Sequence, residues 1–94
     1  MIQAILLYTS RYIAIHKKLI FRNKYVKLSR HAIIRARQRN ITADVIQATI
    51  NGGKVNLFGK NLVRFSKKYK NKFLVCIGED LGQIILIKTI AWKK

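Results

Sequence analysis

The hydrophobic pattern of this chain changes period at Gly52-Gly53. Between Arg30 and Ile50 the apolar positions recur at helical spacing, whereas beyond Gly53 short runs alternate apolar and polar residues at period two. Arg30 to Arg39 holds good helix formers without Gly or Pro, and Ala32, Ile33 and Ala36 cluster on one side of the helical wheel. Ser29 predicts its N-cap and Asn40 a left-handed stop. Thr42 then predicts the cap of a second helix. Asp44 sits in its first turn, Val45, Ile46 and Ile50 form its apolar stripe, and the glycine pair ends it.

The second half predicts four strands: Lys54 to Phe58, Leu62 to Tyr69, Phe73 to Ile77 and Gln83 to Trp92. Their separators, Gly59-Lys60-Asn61, Lys70-Asn71 and Asp80-Leu81-Gly82, are short enough for hairpins, so the strands read as an antiparallel meander. Ile84 to Trp92 is apolar on both faces and reads as a central strand buried from both sides, interrupted by Lys88 and Thr89. Residues 1 to 28 mix apolar and basic positions without one period; we expect a helix over 2 to 19 and an extended piece at Tyr25 to Leu28. The fold class is therefore α+β, with N-terminal helices followed by a four-stranded antiparallel sheet. The 94 residues make one domain, with 1–24 as an extension and 25–94 as the core.

Charge narrows the function. Twenty Lys and Arg stand against Asp44, Glu79 and Asp80, a formal net charge of +17. Such self-repulsion calls for a polyanionic partner, and nucleic acid is the one expected; the alternative is a merely soluble, highly charged surface. Half of the residues are apolar, so a core can form. Cys76 is the only cysteine, which rules out an intrachain disulfide and a zinc-binding thiolate cluster and suits the reducing cytoplasm. The apolar Met1 to Leu7 has no positive charge before it, unlike a signal peptide. The longest charge-free run ends at Ser10, short of the roughly 18 to 20 residues that span a bilayer, and no membrane partner is expected.

On the first helix a rotation of about 100° per residue aligns His31, Arg35 and Arg39 on one narrow face. An imidazole can move a proton near neutral pH, and guanidiniums can hold a phosphate and stabilise the charge that builds on it. That set suits metal-free RNA cleavage, in which the 2′-hydroxyl attacks the adjacent phosphate. It is equally the pattern of a solvated basic helix face. With three carboxylates, two of them adjacent, no magnesium-holding acidic cluster is expected, and His16, His31 and one Cys make no zinc site, so neither cofactor nor metal is expected.

In the strand Leu62 to Tyr69, period two puts Arg64, Ser66 and Lys68 on one face. If helices leave that face uncovered, it forms a phosphate-tracking stripe extended by Lys70 and Lys72; otherwise it is the solvated side of a hairpin. Lys88 and Thr89 lie near the end of the last strand, where site residues are often found. Tyr69, Phe73 and Trp92 can stack on bases, although core packing is the commoner use of aromatics in small domains.

The run Lys-Leu-Ser-Arg-His-Ala-Ile-Ile-Arg-Ala-Arg-Gln-Arg-Asn-Ile-Thr-Ala-Asp-Val-Ile from Lys27, the glycine pair, and a meander ending Ile-Lys-Thr-Ile resemble the domain-of-unknown-function family 4258. The resemblance covers about residues 25 to 92. It implies a place in the fold group of barnase, EndoU, colicin D and RelE, which includes metal-independent ribonucleases and toxins of toxin-antitoxin pairs. The family's His-Ala, Arg, Arg pattern falls on His31, Ala32, Arg35 and Arg39, and its late-strand Thr on Thr89. The function this implies is a toxin-like endoribonuclease. His31 would be general acid or base, Arg35 and Arg39 phosphate and transition-state cations, and Thr89 a polar support. Arg30 and Arg37, on the opposite helix flank, would contact phosphate. RNA, free or on the ribosome, would be the partner, and an acidic antitoxin would neutralise the basic face. The competing reading is a non-catalytic nucleic-acid-binding module using its sheet. A helix-turn-helix over residues 30 to 51 is weak, because Ala43 to Ile50 carries no basic residue to read the major groove.

Overall fold

The chain enters its sheet through a hairpin whose turn carries no glycine. In the computed structural model, which describes residues 19–94, strand β1 (Leu19–Phe21) pairs antiparallel with β2 (Lys24–Leu28) through Arg22-Asn23. Both turn residues have positive φ, 52° and 66°, as a type I′ turn requires. The helix expected over 2 to 19 lies outside the described residues as far as Lys18, and Leu19 belongs to β1.

Ser29 converts strand to helix in one residue. Its amide donates to the Ile87 carbonyl at 2.9 Å, while its Oγ accepts from the Ala32 amide at 3.0 Å and caps helix α1 (Arg30–Gln38). The helix stops at Asn40, φ 55°. There the amides of Asn40 and Ile41 turn back to the carbonyls of Arg37 and Ala36, a Schellman closure that buries Ile41.

Helix α2 (Ala43–Gly52) begins at Thr42, whose side chain makes no capping hydrogen bond; only its carbonyl serves, accepting from Ile46. It ends at Gly53, where glycine is needed for close approach and not for a left-handed φ. A Cβ there would stand 2.5 Å from the carbonyl oxygens of both Ser66 and Thr49.

Strands β3 (Lys54–Phe58), β4 (Leu62–Tyr69), β5 (Lys72–Asp80) and β6 (Ile84–Lys93) follow as antiparallel neighbours. The expected α+β class of N-terminal helices followed by a four-stranded antiparallel sheet, as in RelE and colicin D, is overturned. The sheet has six strands in the order β1-β2-β6-β5-β4-β3, and β2 runs parallel to β6. The hairpin thus precedes both helices and extends the meander into a mixed half-barrel. The physical reason is register: Val26 and Leu28 align with Ile85 and Ile87 and carry the apolar surface onto β2.

Both helices pack on one face of the sheet. Ala32, Ala36, Ile46 and Ile50 meet Phe65, Leu74, Cys76, Ile87 and Ile90 in a single buried cluster. Thr49, fully buried, donates to the Val45 carbonyl at 2.8 Å, and Tyr69 reaches the same carbonyl from β4 at 3.2 Å. Strand β6 lies inside the sheet, but it is not buried from both sides. Ile85, Ile87 and Ile90 are buried against the helices, whereas Lys88 and Thr89 are exposed and Ile84, Leu86 and Ala91 are half-buried.

Candidate nucleic-acid interface

Strand register decides which cations share a surface. On β4, Val63 and Phe65 enter the core, so Arg64, Ser66 and Lys68 point to the face turned away from α1 and α2. Their partners on β3, Asn56 opposite Arg64 and Lys54 opposite Ser66, join them there. The partners on β5 are Ile77, Val75 and Phe73 in the same order. Phe73 in turn faces Lys93 on β6. Directly opposed side chains lie about 4.5–5.5 Å apart at Cβ. Lys68, Phe73 and Lys93 therefore form one continuous row across three strands, and all three are exposed.

Thr89 belongs to this face too. By simple alternation it would follow Ile87 toward the helices, but the β5–β6 register shifts at Ile77/Gly78: Ile77 pairs Thr89 while Gly78 pairs Ile87, leaving Lys88 as the extra residue. The bulge puts Thr89 in the row of Asn56, Arg64 and Ile77. Gly78 is required beneath it, since a Cβ would come within 2.8 Å of the Leu86 carbonyl oxygen and 2.9 Å of Ile87.

The other proposed residues divide between helix and turn. On α1, Arg35 Nε donates to His31 Nε2 at 3.4 Å and its Nη1 to Gln38 Oε1 at 3.4 Å, both long and exposed. Arg39 turns elsewhere: its Nη1 donates to the Ile90 carbonyl at 3.2 Å. The β2 ladder stops at Ile87, so Arg39 serves the β6 edge that β2 leaves open. Of the three residues expected to act together, His31 and Arg35 are in contact, and Arg39 donates one hydrogen bond to the sheet. Among the described residues no hydrogen bond joins Thr89 to any of them, and His31 is the only imidazole. Arg30 and Arg37 lie exposed on the other flank of α1.

Lys70 holds the turn between β4 and β5 at φ 60°. Lys72 does not extend the stripe, because it lies on the helix side, its ammonium 4.7 Å from the centre of the Trp92 ring. Lys88 pairs with Glu79 at 2.7 Å. Of the remaining acids, Asp80 is bound by Lys24 at 2.6 Å and Asp44 sits in the first turn of α2. No ion pair among the described residues involves Lys54, Arg64, Lys68 or Lys93.

The aromatics divide as well. Tyr69 and Trp92 meet edge to face at 6.1 Å and pack against the core, whereas Phe73 is 39 % exposed. Phe58, also turned to the face away from the helices, is 42 % exposed. Periodicity had grouped the cations of β4, but the contribution of β3 and of Lys93 depends on pairing that no local signal carries.

Among the described residues no three His, Cys, Asp or Glu side chains gather as for a metal, and no helix is long and apolar enough to cross a membrane. Comparison of the chain with protein-family models, curated proteins and solved structures returns no match.

Proposed function

We propose that this chain is an RNA-binding protein of the cytoplasm and that its binding surface is the sheet face turned away from the helices. The observation that supports this is the grouping of Lys54, Arg64, Lys68 and Lys93 on that face, where the one acid, Glu79, is already engaged by Lys88. Such a face follows a phosphate backbone by releasing counterions, so affinity falls as salt rises, with a logarithmic slope of about −0.7 per phosphate for a single strand. The test is a salt titration of RNA binding. Arg64→Ala and Lys68→Ala each weaken binding and make the slope shallower by about one contact; an affinity independent of salt would remove the proposal.

A second reading is a metal-independent, toxin-like endoribonuclease, and it draws on the contact between His31 and Arg35. His31 would take the 2′-hydroxyl proton or supply one to the leaving oxygen, and Arg35 would face the phosphate. Arg39, with one N–H given to Ile90, keeps its other guanidinium donors for a phosphate, and Thr89 stands with the sheet residues instead. Ribosome association and an acidic antitoxin belong to this reading. It predicts cleavage of cellular RNA in excess EDTA, 2′,3′-cyclic phosphate ends, and loss of both in His31→Ala with RNA affinity retained. Intact RNA with and without ribosomes sets it aside.

A further inference from the structure

We propose that the sheet face binds single-stranded nucleic acid in preference to duplex, with one base stacked on Phe73 and its flanking phosphates held by Lys68 and Lys93. The inference rests on the RNA-binding reading above and specifies the form of its ligand.

The geometry around Phe73 points this way. An exposed phenylalanine on a sheet usually packs against apolar neighbours across the strands, but this ring has a lysine directly opposite on each side. The two other aromatics at this end of the sheet, Tyr69 and Trp92, are turned into the helix side and occupied with each other. Of the three, Phe73 alone is exposed, on the face away from the helices. The row Lys68, Phe73, Lys93 spans two interstrand spacings, about 10 Å. Cation, ring and cation in that order match phosphate, base and phosphate along a strand. Lys70, in the adjoining turn, adds positive charge where the strand would continue.

A duplex cannot use this arrangement. Its bases are stacked on one another, so it meets the face through phosphates alone and gains nothing from the ring; an unpaired base can leave its stack and lie on an aromatic side chain.

The experiment measures fluorescence anisotropy of a labelled single-stranded RNA 12-mer and of the same 12-mer annealed to its complement, at two salt concentrations. The proteins are the parent chain, Phe73→Ala, Phe73→Trp and the Lys68→Ala/Lys93→Ala double variant. Phe73→Ala is expected to lose about 5- to 150-fold in single-strand affinity, the range for one stacked base. It should leave duplex affinity and both salt slopes unchanged. Phe73→Trp should retain single-strand binding, and the double lysine variant should weaken both forms and flatten both slopes. Thermal melts of all variants establish that they are folded, and Phe73→Trp keeps the test valid if Phe73→Ala melts early. Equal single-strand affinity for Phe73→Ala and parent, with salt-dependent binding intact, overturns the stacking inference and leaves RNA binding standing. Failure of the parent to bind either RNA at low salt removes the RNA reading and this inference with it.

Discussion

Phe21 and Phe65 meet edge to face with ring centroids 5.1 Å apart and planes at 88°, although β2, β6 and β5 separate the strands that carry them. In a flat sheet four interstrand spacings would hold them about 19 Å apart. The sheet must therefore curl until its first strand looks across at its fifth. Phe65 is fully buried, so Phe65→Ala should cost about 3–5 kcal/mol, and Phe21→Ala less because Phe21 is half-buried. In a double-mutant cycle by urea unfolding the two should couple by about 1 kcal/mol. A coupling near zero would show that the curl is held elsewhere.

The glycine pair at the end of α2 should respond to alanine with opposite signs. A Cβ on Gly52 meets nothing within 4 Å, so Gly52→Ala should raise stability by up to about 1 kcal/mol through helix propensity. A Cβ on Gly53 runs into two backbone carbonyls at 2.5 Å, and Gly53→Ala should destabilise by about 1–3 kcal/mol or more as helix and strand are forced apart. Chemical denaturation of the two single variants checks the contrast.

Acid should weaken the link between β2 and the end of β5. The hydrogen bond from Lys24, then that from the Gly82 amide, holds the Asp80 carboxyl below the ordinary value of 3.8. A carboxylate whose folded pKa is depressed contributes stability above its unfolded pKa and loses it as pH falls through the folded one. Stability should therefore drop below about pH 4. Asp80→Asn should be less stable at neutral pH and lose less on acidification, as read from denaturation midpoints between pH 2 and 7.

Cys76 is fully buried, and burial pushes its thiol up to about 12. With so little thiolate, and with no access from solvent, the native protein should react with a thiol reagent only as it opens. The labelling rate should rise with urea in step with unfolding. Fast labelling in the native state would contradict the packing described for β5.

Local chemistry was readable and pairing was not. Strands Lys54–Phe58 and Leu62–Tyr69 follow from period two, and Ser29 and Asn40 end α1 as their residue types imply. The β1–β2 hairpin escaped because Arg22-Asn23 lacks the Gly that usually marks a type I′ turn, and β1 is only three residues long. Asn23 between two apolar runs was the one available hint. The face of Thr89 was hidden for another reason: a single bulge residue reverses the parity of everything after it. Gly78, on the partner strand, is its only trace in the sequence. His31 and Arg35 stand one turn apart on α1 and touch, but Arg39 is the C-cap residue of that helix, and its attraction to Ile90 depends on where β2 stops.

The parallel seam between β2 and β6 also governs the time course of folding. Val26 aligns with Ile85 and Leu28 with Ile87, so this ladder closes a loop that contains both helices and three strands. The meander from β3 to β6 can zip through neighbouring turns, whereas β2 must wait until β6 exists and has been brought back to it. During synthesis the early hairpin therefore leaves the ribosome with its β2 edge unpaired, and its apolar residues stay open to other chains until the final described strand arrives. Refolding should show a fast phase for the meander and a slower one for docking of the hairpin, the second being the step at which aggregation competes.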